Sequence, residues 1–480
     1  MANLLSSGDI LRVSMQKIQK NIYIYDSKAR AKKQFKPLNP GIINLYVCGM
    51  TVYDLCHIGH ARTLIFFDFM VKFLRSSGFE VNYARNITDI DDKIIKKALA
   101  AEKSCDDITK LYIAEMHKDE AALGITSPNF EPKATDNVAA MIKMIAKLFE
   151  QDLAYVSDSG DVCFKVANFT NYGKLSKQTL EHLRSGARIA VSEGKQDPLD
   201  FVLWKMAKPG EPVWDSPWGR GRPGWHIECS AMATRLFGET LDIHGGGVDL
   251  QFPHHENEIA QSEGAHAAEF ANYWMHVGSL QIDKQKMSKS LGNFITIREV
   301  MKKHRKDVIR YFMLATHYRH PVNFSHAGLD SVSNVITKFY AALRAVGGNY
   351  NFDSNCENYE KFMLILADDY NVPLAITVLA EVHKKLNTAL MANDIGLAAK
   401  YAGSLKAMGE VLGVLQEDPE VYLCEGDCDI APSEIERLIA ARNKARSDKD
   451  WHLADKIRDD LAVHGVELED SSDGTIWRVI

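Results

Sequence analysis

The chain of 480 residues has no long apolar run. Its longest, Leu64 to Leu74, is interrupted by Asp68 and Lys72 and is too short to cross a bilayer. The N-terminus also lacks the basic-then-apolar pattern of a secretory signal. Both absences predict a cytoplasmic protein with no membrane partner. Cysteine is scarce, with eight residues and no framework spacing. That excludes a disulfide scaffold and points to reduced thiols in the core or at a site. The pair Cys424 and Cys428 reads as loop thiols. Surplus positive charge is missing too: 57 Lys and Arg stand against 63 Asp and Glu, a net charge of −6. Nonspecific affinity for polyanions rests on excess cation, so any nucleic acid must meet a local basic patch. No internal repeat is evident.

What is present is ordinary soluble composition, 46% hydrophobic and 25% charged, over a length that predicts roughly two to four folded units. Ile42 to Val47 is β-rich and leads through a Gly-containing loop to a helical pattern from about Ala61, which stops at Ser76-Ser77-Gly78. Phe79 to Ile87 alternates like a strand, with Val81, Tyr83 and Arg85 on one face. Strand, helix, strand implies a parallel sheet whose ligand lies at the carboxyl ends of the strands, where the loop after Val47 sits. Residues 140–219 change character, with short strand-like runs such as Val162 to Val166 and then Trp204, Pro209, Pro212 and Pro217. They read as an insertion. A second strand signal, Leu241 to His244, precedes Gly245-Gly246-Gly247 and a helix expected to open near Pro253.

The predicted fold class is therefore α/β: a Rossmann-type parallel-sheet domain with an insertion, then a helical bundle and a small C-terminal domain. The expected boundaries are 1–20 (an extension of no assigned role), 21–139 and 220–300 (the two sheet halves), 140–219 (the insertion), 301–335 (a hinge), 336–425 (the bundle) and 426–480. The last part holds a basic helical segment, Ile435 to Lys449, and an apolar end with Val466, Leu468, Ile476 and Trp477.

Three clusters carry chemistry. Lys286-Met287-Ser288-Lys289-Ser290 before Leu291-Gly292-Asn293 makes a cationic loop suited to neutralising charge on a nucleotide's phosphates. His57-Ile58-Gly59-His60 lies at a helix start, where free backbone N–H groups favour phosphate. Cys229, His254 and Glu258 offer S, N and O donors that suit zinc, with His254 and Glu258 at i and i+4 on one helix face. His255 and Glu256 are expected to point elsewhere. The short span 46–62 itself holds four zinc-type donors, Cys48, Cys56, His57 and His60.

The histidine and lysine motifs, in this order, resemble the paired signatures of class I aminoacyl-tRNA synthetases. The segments Tyr46 to Arg62, Asn86 to Lys93, Gly224 to Ser230 and Phe252 to Glu258 resemble the cysteinyl-tRNA synthetase family over roughly residue 21 to the end. That resemblance implies activation of L-cysteine with ATP and its transfer to tRNA(Cys) by a protein expected to be a monomer. It implies one zinc ion per chain on Cys48, Cys229, His254 and Glu258, with Mg²⁺ accompanying ATP. His57, His60, Lys286 and Lys289 would surround the phosphates, leaving Cys56 a packed thiol. Gly245, Gly246 and Gly247 would let adenosine approach the backbone, with Asp249 on the ribose. Trp225 would cover the substrate cysteine, and Thr88 and Asp89 would bind its polar groups. Asp307-Val308-Ile309-Arg310 resembles the helix that joins core to helical domain in this class. Arg446, Trp451 and Asp455 would meet the anticodon, Trp451 stacking an unpaired base. Two rival readings are a ligase joining cysteine to an amino-sugar, and a noncatalytic zinc-dependent RNA-binding protein.

Overall fold

The computed structural model describes residues 16–179, 181, 194–282, 285–286, 294–353, 356–424, 430–471 and 474–479. After a short hairpin, β1 (Tyr23–Asp26) and β2 (Ala31–Gln34), the chain enters its central sheet with β3 (Ile42–Val47). Helix α1 (Ile58–Ser76) follows, and then β4 (Glu80–Arg85). The helix begins three residues earlier than its apolar pattern suggests, because His57 caps it. It is buried on nearly every side, from Ile58 to Leu74, as a helix sandwiched between two layers must be. It stops where expected, with Gly78 at φ 88° and its N–H bonded to the Arg75 carbonyl.

Helices α2 (Asp92–Ala100), α3 (Cys105–Ala122) and α4 (Val138–Glu150) lead into the insertion. There β5 (Ala154–Val156), β6 (Val162–Phe164), β7 (Phe201–Met206) and β8 (Gly221–Pro223) form an antiparallel sheet. Helix α5 (Trp225–Phe237) returns the chain to β9 (Leu241–Gly247), α6 (Glu256–His266) and β10 (Ala271–Val277). The central sheet is wholly parallel in the order β10-β9-β3-β4. From β3 the chain winds to one side and from β9 to the other, so a crevice opens between them.

Two expectations are corrected here. The three glycines belong to β9 itself, since Gly245, Gly246 and Gly247 pair with Met275, His276 and Val277. The helix expected at Pro253 opens at Glu256 instead: Phe252, ahead of the proline, is extended at φ −142° and ψ 132°, which no helix can include.

Strands β11 (Leu280–Ile282), β12 (Gln285–Lys286) and β13 (Val322–Phe324) make a small mixed sheet, with α7 (Ile297–Met301) and α8 (Lys306–Leu314) between the last two. Then come α9 (His326–Ala345), α10 (Glu357–Ala367), α11 (Val372–Met391), α12 (Ile395–Leu412) and α13 (Pro419–Cys424). The chain ends with α14 (Pro432–Ser447), α15 (Trp451–Val463) and the hairpin of β14 (Val466–Ser471) and β15 (Gly474–Val479). Cys428 lies outside the described residues. Among the described residues no helix is long and apolar enough to cross a membrane.

Candidate active site and metal cluster

A cleft of about 630 Å³ lies over the carboxyl ends of the central sheet. The last residue of each strand, Val47, Arg85, Gly247 and Val277, lines it. His57 and His60 stand on one wall at the start of α1, near Gly247 and Asp249. The His60 backbone N–H donates to Nδ1 of His57 at 3.2 Å, and the His57 N–H lies 3.4 Å from Nδ1 of His60. The rings stack with centroids 3.5 Å apart. With each Nδ1 taken as an acceptor, the proton of each neutral ring sits on Nε2. Both imidazoles are thus held as donors.

Downstream of the lysine motif the chain is tied to this wall. The Ile58 N–H donates to the Ile295 carbonyl and the Ile297 N–H to that of Cys56, each at 3.0 Å, and the Phe294 ring meets His57 edge-on. Lys289 lies outside the described residues, and Lys286 is described through its backbone in β12.

Below the cleft floor, donor atoms of Cys48, Cys229, His254 and Glu258 lie within 4.8 Å of one another, all buried. Cys48 Sγ is 3.2 Å and His254 Nε2 3.1 Å from Glu258 Oε1. Cys48 directly follows β3, Cys229 lies on α5, His254 precedes α6 and Glu258 is on it, so the sheet's connections bring four distant residues together. Burial would raise the Cys229 thiol, but hydrogen bonding from Cys48 and the neighbouring His254 bring it down to about 6. Cys48, buried and bonded to Cys229, is pushed well above the usual thiol range. Burial opposes charge on His254 as well, yet Glu258 and Cys229 raise it to about 10. Oε2 of Glu258 is buried and faces Nε2 of His244 at 3.2 Å. Two thiols, an imidazole and a buried carboxylate converging on one point fit a divalent metal.

Histidines that the sequence pattern did not single out surround this cluster. Nδ1 of His226 lies 2.9 Å from Nδ1 of His254. Burial, then the charge of His254, hold His226 well below its ordinary value, so it serves as a neutral acceptor that leaves His254 Nε2 facing the cluster. His244, in β9, places Nε2 3.5 Å from Cys48 Sγ and 3.2 Å from Glu258 Oε2. His255 does not point away as expected. Its Nε2 approaches Glu258 Oε1 at 3.9 Å while its Nδ1 meets His276, which in turn meets Ser27. Cys48, His244, His255 and Glu258 thus form a second group whose donor atoms converge within 4.8 Å. Glu256 does turn aside, accepting the N–H groups of Gly173 and Ser176. Strand alternation places His244 on the Cys48 side; this was the available signal, hidden by the glycines behind it.

Trp225 lines the cleft, 40% exposed, with its ring stacked on His254 at 4.3 Å. Cys56 packs at 1% exposure with Sγ 3.4 Å from Met50 Sδ and takes no part in the cluster. Thr88 and Asp89 do not line the cleft. The Thr88 hydroxyl donates to Glu228 at 2.9 Å, and Asp89 accepts both the N–H and hydroxyl of Thr135. Asn86 beside them is the residue the sequence missed. Its Oδ1 accepts the Gly49 N–H at 2.8 Å and lies 3.5 Å from Cys229 Sγ. Gly49 is obligatory there, since a Cβ would fall 1.8 Å from the Asn86 carbonyl oxygen. Of the three strand glycines only Gly247 borders the cleft. A Cβ on Gly245 would strike Phe67 and one on Gly246 would crowd His255.

At the C-terminus Trp451 is 58% exposed and Asp455 is exposed. Arg446 pairs with Asp470 at 2.9 Å. Arg442, in the basic segment Ile435 to Lys449, is buried and grips Asp470 with both Nη atoms.

Comparison with known proteins gives concordant results. Residues 34–334 match the family described as tRNA synthetases class I (C) catalytic domain, 361–416 the DALR domain, and 431–478 the cysteinyl-tRNA ligase anticodon binding domain. The cysteine–tRNA ligase of Shewanella woodyi is 50% identical over 456 residues, 95% of this chain and 99% of that one. That of Methylococcus capsulatus is 50% identical over 461 residues, with the same coverage. Among solved structures, a Mycobacterium tuberculosis methionyl-tRNA synthetase in complex with methionyl-adenylate shares the fold at a TM-score of 0.55 and 15% identity, covering 77% of this chain and 89% of that one. A catalytic-family match across more than half the length, joined to half-identical relatives along nearly all of it, means that the chain belongs to the cysteine–tRNA ligase family of class I tRNA synthetases.

Proposed function

We propose that the protein activates L-cysteine with ATP, forming cysteinyl adenylate and pyrophosphate, and then passes the cysteine to the 3′ end of tRNA(Cys). The observation that carries this reading is the placement of a thiol-rich donor cluster under the same cleft whose wall holds His57 and His60. Cys48, Cys229, His254 and Glu258 would hold a zinc ion, which supplies a soft Lewis acid favouring the substrate's thiolate over a serine hydroxyl. Cysteine and serine are near-isosteres, and packing alone separates such pairs by only about 10 to 200-fold.

No side chain acts as nucleophile. The substrate carboxylate attacks the α-phosphorus of ATP, and the protein positions it and stabilises charge. His57 and His60 point donors at the phosphates, joined by Lys286 and Lys289, and Mg²⁺ arrives with the nucleotide. Gly247 and Asp249 take the ribose side, and Trp225 covers the amino acid. Arg446, Trp451 and Asp455 read the anticodon, with Trp451 the stacking surface. Neither an amino-sugar ligase nor a noncatalytic binder needs the anticodon-type segment and the paired motifs together.

Pyrophosphate exchange into ATP, run across a panel of amino acids and followed by tRNA charging, tests the reading. Exchange should require cysteine, with serine at least a hundredfold poorer. Equal exchange with serine, or none with cysteine, would overturn it.

A further inference from the structure

The wall of the cleft beyond the histidines carries Tyr53, Asp54, Arg85 and Lys93. Arg85 is not available to a ligand, being 3% exposed and paired with Glu120 at 2.6 Å and Glu131 at 3.1 Å. Lys93, in the first turn of α2, is exposed. Its ammonium lies 5.5 Å from the centroid of the Tyr53 ring, a cation–π distance. Tyr53 is itself fixed against Ile94, Ala98 and Ile108. The carboxylates beside Lys93 are engaged elsewhere. Asp91 caps α2 by accepting the Lys93 backbone N–H at 2.8 Å, and Asp92 pairs with Lys205 at 2.9 Å and with Arg222. The carboxylate of Asp54 accepts the Leu55 N–H. Among the described residues no carboxylate lies within ion-pair distance of the Lys93 ammonium.

A lysine steadied on an aromatic face at the rim of an active cleft, with its nearest acids spent on other partners, is built to meet an anion from outside. The nucleotide wall and the thiol floor account for the adenylate. The second reaction requires the end of an RNA strand to reach the same carbonyl carbon from the side they leave open. We propose that Lys93, held by Tyr53, binds a phosphodiester of the single-stranded 3′ end of the tRNA and so positions the terminal ribose hydroxyl for transfer. This rests on the function proposed above and assigns Lys93 to the second half-reaction alone.

Lys93→Met, which keeps the apolar stem over Tyr53, and Lys93→Arg separate the cases. In Lys93→Met, single-turnover transfer from enzyme-bound cysteinyl adenylate should fall about tenfold. The slope of log affinity for tRNA against log salt should become shallower by about 0.7, the loss of one single-strand phosphate contact. tRNA-independent pyrophosphate exchange should stay within twofold of wild type, and Lys93→Arg should restore both transfer and slope. An unaltered salt slope with exchange intact would overturn the assignment of Lys93 alone, as would a parallel loss of exchange. Absence of cysteine-dependent exchange in the wild type would strike the underlying function instead.

Discussion

Asn and Gln substitutions can distinguish the two nitrogens of His60, because each places an amide where one ring nitrogen stood. The Nδ1 position caps α1 while the residue lines the cleft, so the same side chain has a structural and a chemical duty. His60→Asn preserves an acceptor for the His57 N–H but removes the outward donor. It should fold with wild-type helicity and thermal stability while pyrophosphate exchange falls on the order of a hundredfold, the usual cost of losing one aimed donor. A matched loss of helicity would show that capping was the whole of its role. The same doubling of duty explains what sequence reading saw and missed at this scale. His57, His60, Cys229, His254 and Glu258 were legible as donor types at telling spacings, whereas Cys48 joined the cluster through the family resemblance, its spacing having grouped it with Cys56, His57 and His60. Asn86 was not, because its service to Gly49 and Cys229 depends on how the β4 connection lies against the loop after β3. His226, His244 and His276 were invisible for a related reason: second partners of metal-type ligands are chosen by tertiary contact, not by spacing.

The strands at Ile42 and Leu241 and the helix after His57 followed their apolar patterns, whereas the ends of elements followed single residues. Capping by His57 moved the start of α1, and the extended backbone before Pro253 delayed α6. The glycines of β9 read as a turn by composition, yet pairing with β10 kept all three in the sheet, and Gly245 pairs with Val47 of β3 as well. The end of α12 shows the same rule from the packing side. Gly413 has φ 73°, and a Cβ there would lie 2.1 Å from Arg310 Nη2. Arg310 donates to the Leu412 carbonyl at 3.1 Å and to the carbonyls of Leu123 and Gly124 at 3.3 Å, so one guanidinium closes the carboxyl ends of α12 and α3. Gly348 has a similar φ of 79° with nothing within 4 Å of a Cβ. Gly348→Ala should therefore lose only the left-handed backbone term of about 1 kcal/mol. Gly413→Ala should lose that and, in addition, about 1 to 3 kcal/mol as Arg310 is displaced. Denaturant midpoints of the two variants measure the difference, and equal losses would remove Arg310 from the account.

At the scale of the whole molecule, a buried pair joins α1 of the catalytic sheet to α8, whose Arg310 reaches on to the Leu412 carbonyl of the helical bundle. Asp68 of α1 and Arg310 of α8 meet at 2.5 Å, with side chains almost fully buried, and Lys72 bonds both carboxylate oxygens of Asp68. Asp307, one turn earlier on α8, accepts the Tyr340 hydroxyl and the Leu415 N–H at 2.7 Å, tying in the far side of the bundle. The two acids titrate in opposite senses. Burial raises Asp68, but Arg310 and Lys72 outweigh it, so its folded value lies below the ordinary carboxylate range. Its stabilisation is present above the unfolded value of about 3.9 and is lost as pH falls through the folded one. Burial raises Asp307 despite its two hydrogen bonds, so protonation there favours the folded state and offsets part of the acid loss. Separation of bundle from sheet, followed by protease cleavage between α8 and α9, should accordingly set in below about pH 4 in the wild type. Asp68→Asn leaves Arg310 buried without its anion, at a cost of about 3 to 5 kcal/mol. That variant should be cleaved already at pH 7. Its stability should then change less between pH 5 and pH 3 than that of the wild type, because the group whose protonation opens the junction is gone. A wild-type acid dependence retained in full by Asp68→Asn would place the acid-sensitive contact elsewhere.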